Sequence, residues 1–262
     1  MTSSAAFVHL RLHSEYSICD SIVRIDAAVE RAAWESMPAL ALTDLGNVFG
    51  MLKFYQAARR AGIKPIIGAD LWMHNDAEPG KPSRLLLLCR NESGYLRLCE
   101  LLTTAYREHL VQGRAELHKR DLAGDNSGLI ALSGAQAGDI GAALAAGNEP
   151  VAARLARELA NLFPGAFYLE LQRAGHAGAE AYVDAAVALA RQQGLPLVAT
   201  HPIQFIDATE YKAHEARVCI AEGYVLADQR RPRRFTERQF FTSAAEMVEL
   251  FADLPEAVHN TV

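Results

Sequence analysis

The chain has 262 residues, 26 Lys and Arg against 31 Asp and Glu, a formal charge of −5 and a hydrophobic share of 50%, which describes a globular protein and excludes a disordered tail. Its apolar runs, such as Ala185–Ala190 and Leu85–Cys89, fall far short of the roughly 20 residues a membrane-spanning helix needs. The start Met1-Thr-Ser-Ser-Ala-Ala lacks the basic segment of a secretory signal, so a cytoplasmic setting without a membrane is expected.

Apolar runs rich in Val, Ile and Leu alternate with stretches of helical spacing, the signature of strand-helix units in a parallel sheet or barrel. Strands are predicted at Phe7–Leu12, Ala39–Thr43, Pro65–Trp72, Arg84–Cys89, Gly128–Ser133, Phe167–Gln172 and Pro196–Thr200. Helices are predicted at Ile25–Ala33, Met51–Ala61, Ser93–Tyr106, Gly138–Ala146, Pro150–Phe163 and Ala179–Gly194, where Ala and Leu recur in amphipathic spacing. About seven such units in a chain of this length fit a closed α/β barrel, with an open doubly wound sheet as the second architecture. No G-x-G-x-x-G opens a helix, which disfavours dinucleotide binding. After Thr200 the pattern changes to a helix around Ala208–Glu222, a basic linker through Arg234 and a helical stretch from Ala244. The expected division is therefore a barrel over 1–222 and a linker with a helical extension over 223–262. Cys19, Cys89, Cys99 and Cys219 show no paired spacing and are expected to be reduced, mostly buried thiols.

In an α/β barrel the strand ends converge on one mouth, so polar residues there are candidate site members. The first strand carries His9, Arg11 and His13 on alternate positions, which period-two geometry sends to one face. Asp20 follows in the loop, Asp44 ends the second strand, Asp70 lies in the third, Arg84 begins the fourth and His201 follows the seventh. Scattered ligands of this kind are able to build a metal site. Ser14, Ser17 and Ser133 lack a nucleophile elbow, which argues against serine hydrolase chemistry.

The opening Phe7-Val-His-Leu-Arg-Leu-His-Ser-Glu-Tyr-Ser17, then Ala41-Leu-Thr-Asp-Leu-Gly-Asn47 and Ile66-Ile-Gly-Ala-Asp70, resembles the PHP (polymerase and histidinol phosphatase) domain that begins bacterial DNA polymerase III alpha subunits. Further matches follow in order at Asn91-Glu-Ser-Gly-Tyr95, Leu132-Ser-Gly134, Tyr168-Leu-Glu-Leu171, Val198-Ala-Thr200 and Phe251-Ala-Asp-Leu-Pro-Glu-Ala257. The resemblance implies a distorted seven-unit (β/α) barrel of PHP type. It also implies a His, Asp and Glu ligand set that holds metals and activates water for phosphoester hydrolysis.

Carried over position by position, that ligand set is eroded. The first-strand His-x-His falls on Arg11 and His13, and the histidines expected in the second and fourth strands fall on Leu45 and Arg84. The histidine expected after Leu-Glu-Leu-Gln falls near Ala174, and the late Asp-x-His falls on Pro202 and Gln204. His13, Asp20 and Asp70 survive, the last where the pattern has Glu, and His201 offers a stand-in. Arg11 and Arg84 cannot coordinate metal. They are expected to fill the vacated pocket and to pair with Asp20, Asp44 or Asp70. Each histidine has the alternative of a hydrogen-bonded packing role, as has His214.

The run Gln229-Arg-Arg-Pro-Arg-Arg-Phe235 places Arg230, Arg231, Arg233 and Arg234 close together, for a phosphate backbone, a neighbouring domain or solvent. Three functions follow as expectations. The first is a module with no cofactor that supports a polymerase core and docks a proofreading exonuclease. The second is a phosphoesterase or 3′–5′ exonuclease using Mn or Zn on His13, Asp20, Asp70 and His201, and the third is DNA binding through the arginine run. The carboxylates of a polymerase site are expected beyond residue 262.

Overall fold

The computed structural model describes residues 7–76 and 78–262; the leading stretch Met1–Ala6 lies outside them. Nine α-helices and eight strands are assigned among the described residues. In chain order they are α1 (Ile25–Trp34), β1 (Ala39–Leu42), α2 (Met51–Arg60), β2 (Lys64–Met73), β3 (Ser83–Cys89), α3 (Glu92–Glu108), β4 (Leu110–Val111), β5 (Arg114–Leu117) and β6 (Leu129–Leu132). There follow α4 (Asp139–Ala145), α5 (Glu149–Leu162), β7 (Phe167–Leu171), α6 (Ala179–Gln193), β8 (Leu197–Ala199), α7 (Tyr211–Glu222), α8 (Ala244–Leu250) and α9 (Pro255–His259).

Seven staves close a distorted barrel: the extended segment 7–13, β1, β2, β3, β6, β7, and β8 with its continuation to Ile203. Closure is made where Leu12 pairs in parallel with Ile203 and the His13 amide donates to the Ile203 carbonyl at 3.2 Å. This closure excludes the open doubly wound sheet. The staves are not all parallel, however. β3 runs antiparallel to both β2 and β6, because β2 and β3 are joined by a loop without a crossover helix. The short β4–β5 hairpin, absent from the predicted elements, adds to the far end of β2 through Trp72 and Met73. Apolar strands buried on both faces look alike whichever way they run, which is why the sequence pattern did not show the reversal.

Alternation along each stave divides the core. Inward positions form a barrel lining of Val8, Leu10, Ala39, Ala41, Leu86, Leu88, Leu132 and Val198. Outward positions of β1 meet α1 and α2 through Leu40, Leu42, Val29 and Phe54. Outward positions of β2, β3, β6, β7 and β8 meet α3, α5 and α6 through residues such as Leu87, Leu101, Leu159 and Val183. Helix starts are fixed locally: the Asn91 side chain accepts from the Gly94 amide at 2.9 Å to begin α3. Ser243 and Glu246 cap α8 reciprocally.

Residues 223–262 share the barrel's core. Met247, Phe251, Ala257 and Val258 belong to the outer cluster, Asn260 donates to the Leu197 carbonyl at 2.8 Å, and Thr261 Oγ1 accepts from the Val8 amide at 3.2 Å. Of the cysteines, all free, only Cys219 is fully buried and Cys19 is exposed, which corrects the expectation of mostly buried thiols. No helix among the described residues is long and apolar enough to cross a membrane.

Candidate functional site at the barrel mouth

The first stave is not a regular strand. The Ala41 amide donates to the His9 carbonyl and the Thr43 amide to the Leu12 carbonyl, both at 2.9 Å, so a two-residue step on β1 spans three residues on the first stave. That extra residue is a β-bulge, which re-aims side chains. Val8 and Leu10 line the barrel while Leu12 faces α1 and α2, so the inward phase switches between Leu10 and Arg11. Arg11 and His13 therefore point into the mouth. His9 does not join them, contrary to simple alternation. It packs outward against Phe7 and Phe241, ring centroids 4.9 and 4.7 Å away, and donates from Nε2 to the Thr242 carbonyl at 2.8 Å.

At the mouth Arg11 spans two carboxylates. Its Nε and Nη2 lie 2.8 and 3.0 Å from Glu170 Oε1 and Oε2, while Nη1 donates to Asp70 Oδ2. Asp70 also accepts from Arg84, Nε at 3.2 Å and Nη2 at 2.5 Å, and faces His13 Nε2 at 3.1 Å. Arg84 lies at the start of β3 yet reaches the mouth because β3 runs the opposite way to its neighbours, and its guanidinium stacks 4.3 Å from the Trp72 ring centroid. His13 Nδ1 sits 3.1 Å from Asp20 Oδ2. Glu170 further accepts from the Gly134 amide at 3.0 Å, Gln172 Nε2 at 2.9 Å and Thr200 Oγ1. Gly134 must be glycine here: its φ is +79° and a Cβ would lie 2.2 Å from the Arg84 carbonyl oxygen.

Charge balances within this cluster. Burial disfavours the charged forms of Asp70, Arg11 and His13, but their partners outweigh it. Asp70 is held well below the usual carboxylate range by Arg11 and Arg84 against its own burial. Arg11 is held still more firmly protonated by Asp70 and Glu170 despite its burial. His13 is also opposed by burial, yet Asp20 and Asp70 raise it to about 9, so it is an imidazolium at neutral pH.

The family's metal set does not fit this arrangement. His13 has one nitrogen on Asp20 and the other on Asp70, so both of its nitrogens are already engaged. Among the described residues, the donors of the mouth form no group of three within ligand range of one another. Asp20 pairs with His13 and not with an arginine. Asp44, also expected to pair with an arginine, instead accepts from Ser14 and Ser17, with Oγ distances of 2.9 and 2.8 Å, and burial raises its pKa. His201 turns away: Nε2 donates to the Arg238 carbonyl at 2.8 Å, and burial lowers its pKa to about 4. His214 is a packing histidine between Phe205 and Phe235 whose Nε2 donates to the Asp20 carbonyl at 2.8 Å, steadying that loop.

The arginine run does not present one cationic face. Arg231 is buried and pairs with Glu215, Arg230 pairs with Asp228 at 3.1 Å, and Arg234 pairs with Glu222 at 3.1 Å. Arg234 also lines the mouth cleft of about 620 Å³. Glu170 is the functional residue that sequence reasoning passed over. Its signal was a single carboxylate inside the otherwise apolar run Phe167–Leu171.

A family model described as PHP domain matches residues 9–174. DNA polymerase III subunit alpha of Neisseria meningitidis serogroup A is 52% identical over 260 residues, covering 98% of this chain and 23% of that protein. The protein of the same name from Escherichia coli K12 is 42% identical over 260 residues, covering 99% of this chain and 22% of that protein. The chain thus spans less than a quarter of the length of these relatives. An amidohydrolase from Chromobacterium violaceum superposes with a TM-score of 0.55 at 15% identity, covering 81% of this chain and 97% of that one, a likeness of fold alone. With the family model matched over well more than half of its length, and with a barrel of the expected kind, the chain belongs to the PHP domain family.

Proposed function

We infer that this chain is the PHP module of a cytoplasmic replicative DNA polymerase alpha subunit, acting in DNA replication as a scaffold whose mouth works without metal. One observation carries the reading: Arg11 bridges Asp70 and Glu170, so fixed guanidinium charge stands where a phosphoesterase of this family needs cations. Arg84 adds a second guanidinium on Asp70. Both act as pocket-filling substitutes, with Asp70 and Glu170 as their counter-charges, while His13 is a third cation paired with Asp20 and Asp70. DNA-directed nucleotidyl transfer belongs to the rest of such a polymerase, whose core is this module's first partner. The proofreading exonuclease subunit is the second. Direct DNA binding through the arginine run is the weaker reading, since Arg231 is spent on Glu215 inside the fold.

The competing phosphoesterase reading requires His13, Asp20, Asp70 and His201 to share metal, whereas His201 is bonded to Arg238 elsewhere. An assay of phosphodiester hydrolysis with added Mn or Zn, run beside a binding titration with the exonuclease subunit, tests the inference. Binding without metal-stimulated hydrolysis is the expected result. Hydrolysis that needs metal and disappears in His13→Ala would establish the competing reading.

A further inference from the structure

Away from the mouth centre, the β2–β3 loop leaves the barrel beside the β4–β5 hairpin, and three histidines gather there. His74 follows β2, His109 caps the end of α3 and His118 follows β5. The His118 ring lies 4.4 Å from that of His74 and 4.5 Å from that of His109, centroid to centroid. Asp76, on the loop, turns Oδ1 toward His74 and His118: it is 3.7 Å from His74 Nε2 and 3.8 Å from His118 Nδ1. One ligand atom from each of His74, Asp76 and His118 lies within 4.8 Å of the others. In a tetrahedral zinc site with bonds of about 2.0–2.1 Å, neighbouring donors stand roughly 3.4 Å apart. Asp76, 89% exposed and on a loop, needs only a small approach to close the set.

The surrounding groups are arranged as a ligand's supports are. The second nitrogen of His74, Nδ1, donates to Glu116 Oε2 at 2.9 Å. Glu116 is buried, and its other oxygen accepts from Arg114 Nε and Nη2 at 3.2 and 3.1 Å. A carboxylate behind a histidine in this way orients the ring and leaves Nε2 as the nitrogen aimed at Asp76, as in metal-ligating histidines generally. The backbone is held as well: the His74 amide donates to the Leu117 carbonyl at 2.7 Å, and the His118 amide to Asp121 Oδ2 at 2.8 Å.

We propose that His74, Asp76 and His118 form a binding site for a borderline divalent cation of the zinc type, distinct from the family's site at the barrel mouth. Two imidazoles and one carboxylate are the donor chemistry such ions select, and water completes the fourth position. The bound ion ties the β2–β3 loop to the end of β5.

The test is titration of the metal-stripped 262-residue chain with Zn2+ against a chromophoric competitor, with Co2+ as a second probe read by its visible absorption. One equivalent is expected. Asp76→Asn, a change at an exposed loop position that leaves the fold intact, is expected to weaken binding at least tenfold. His74→Ala and His118→Ala should abolish it, and Glu116→Gln should weaken it 10- to 100-fold. His13→Ala should leave it unchanged. Absence of binding, binding indifferent to Asp76→Asn and His118→Ala, or binding lost in His13→Ala would overturn the proposal.

Discussion

Arg11 grips Glu170 with two parallel hydrogen bonds, Nε to Oε1 at 2.8 Å and Nη2 to Oε2 at 3.0 Å, at the barrel mouth. The first stave and β7 are separated by β8 and its continuation, so this ion pair acts as a strut between two staves that share no backbone hydrogen bonds. Bidentate geometry of this kind is specific to guanidinium.

Removing the strut strands buried charge. Arg11→Ala leaves Glu170 and Asp70 without their largest compensating charge, and breaking one side of a buried pair costs about 3–5 kcal/mol. Arg11→Lys keeps the charge but reaches one carboxylate at a time, so an intermediate loss is expected. Urea denaturation at neutral pH checks both. Midpoints equal to that of the unchanged protein would mean that the strut is not structural.

Stability has two limbs in pH. His13, raised to about 9, is protonated in the folded state, so its contribution is whole below its unfolded value near 6.5 and is lost as pH rises through 9. His9 and His201, buried and neutral with values lowered to about 3 and about 4, act in the opposite direction. The unfolded chain binds protons there that the folded chain refuses, so stability falls as pH drops from about 6.5 toward those values. Melting temperature against pH should therefore peak near neutrality. His13→Asn should flatten the alkaline limb and leave the acid limb in place.

The arginine run divides into structural and exposed members. Arg231→Ala breaks the pair with Glu215 under the surface and should lower the melting temperature by a few degrees. Arg230→Ala removes an exposed pair with Asp228 and should leave it unchanged, since such pairs contribute little. Thermal melting of the two variants side by side checks the division. If Arg230→Ala is the more damaging, the burial assigned to Arg231 is wrong.

Arg173 holds the chain's last turns to the barrel. Its guanidinium bonds Asp253 at 2.6 and 2.8 Å and the Leu250 carbonyl at 2.7 Å, and stacks 4.9 Å from the Phe251 ring. Arg173→Ala should raise amide exchange across α8 and α9 more than in β6 or β7. Uniform exchange would show that apolar packing of Met247 and Phe251 suffices.

Most of the barrel was legible in the sequence because strand alternation and helical spacing are local patterns. The mouth was legible only in part. Arg11, His13, Asp70 and Arg84 were singled out, and they meet. His9 was misplaced because the bulge that separates it from Arg11 is fixed by a partner far along the chain: Thr43 Oγ1 accepts from the Leu12 amide at 3.0 Å. Asp44 was assigned to an arginine because charge alone does not reveal that Ser14 and Ser17 already occupy it. Arg231 sat in a run that looked solvated, and only the packing of α7 brings Glu215 to it. The reversed β3 leaves no local mark, although it is what brings Arg84 to the mouth.

Metal affinity at the mouth tests the central claim most directly. It is measured by calorimetric titration of Mn2+ and Zn2+ into the His118→Ala chain, which removes the proposed side site from the count. No saturable binding that depends on His13 or Asp70 is the predicted result. Stoichiometric binding in this variant, lost again on adding His13→Ala, would mean that cations displace Arg11 and that the mouth is a working metal centre.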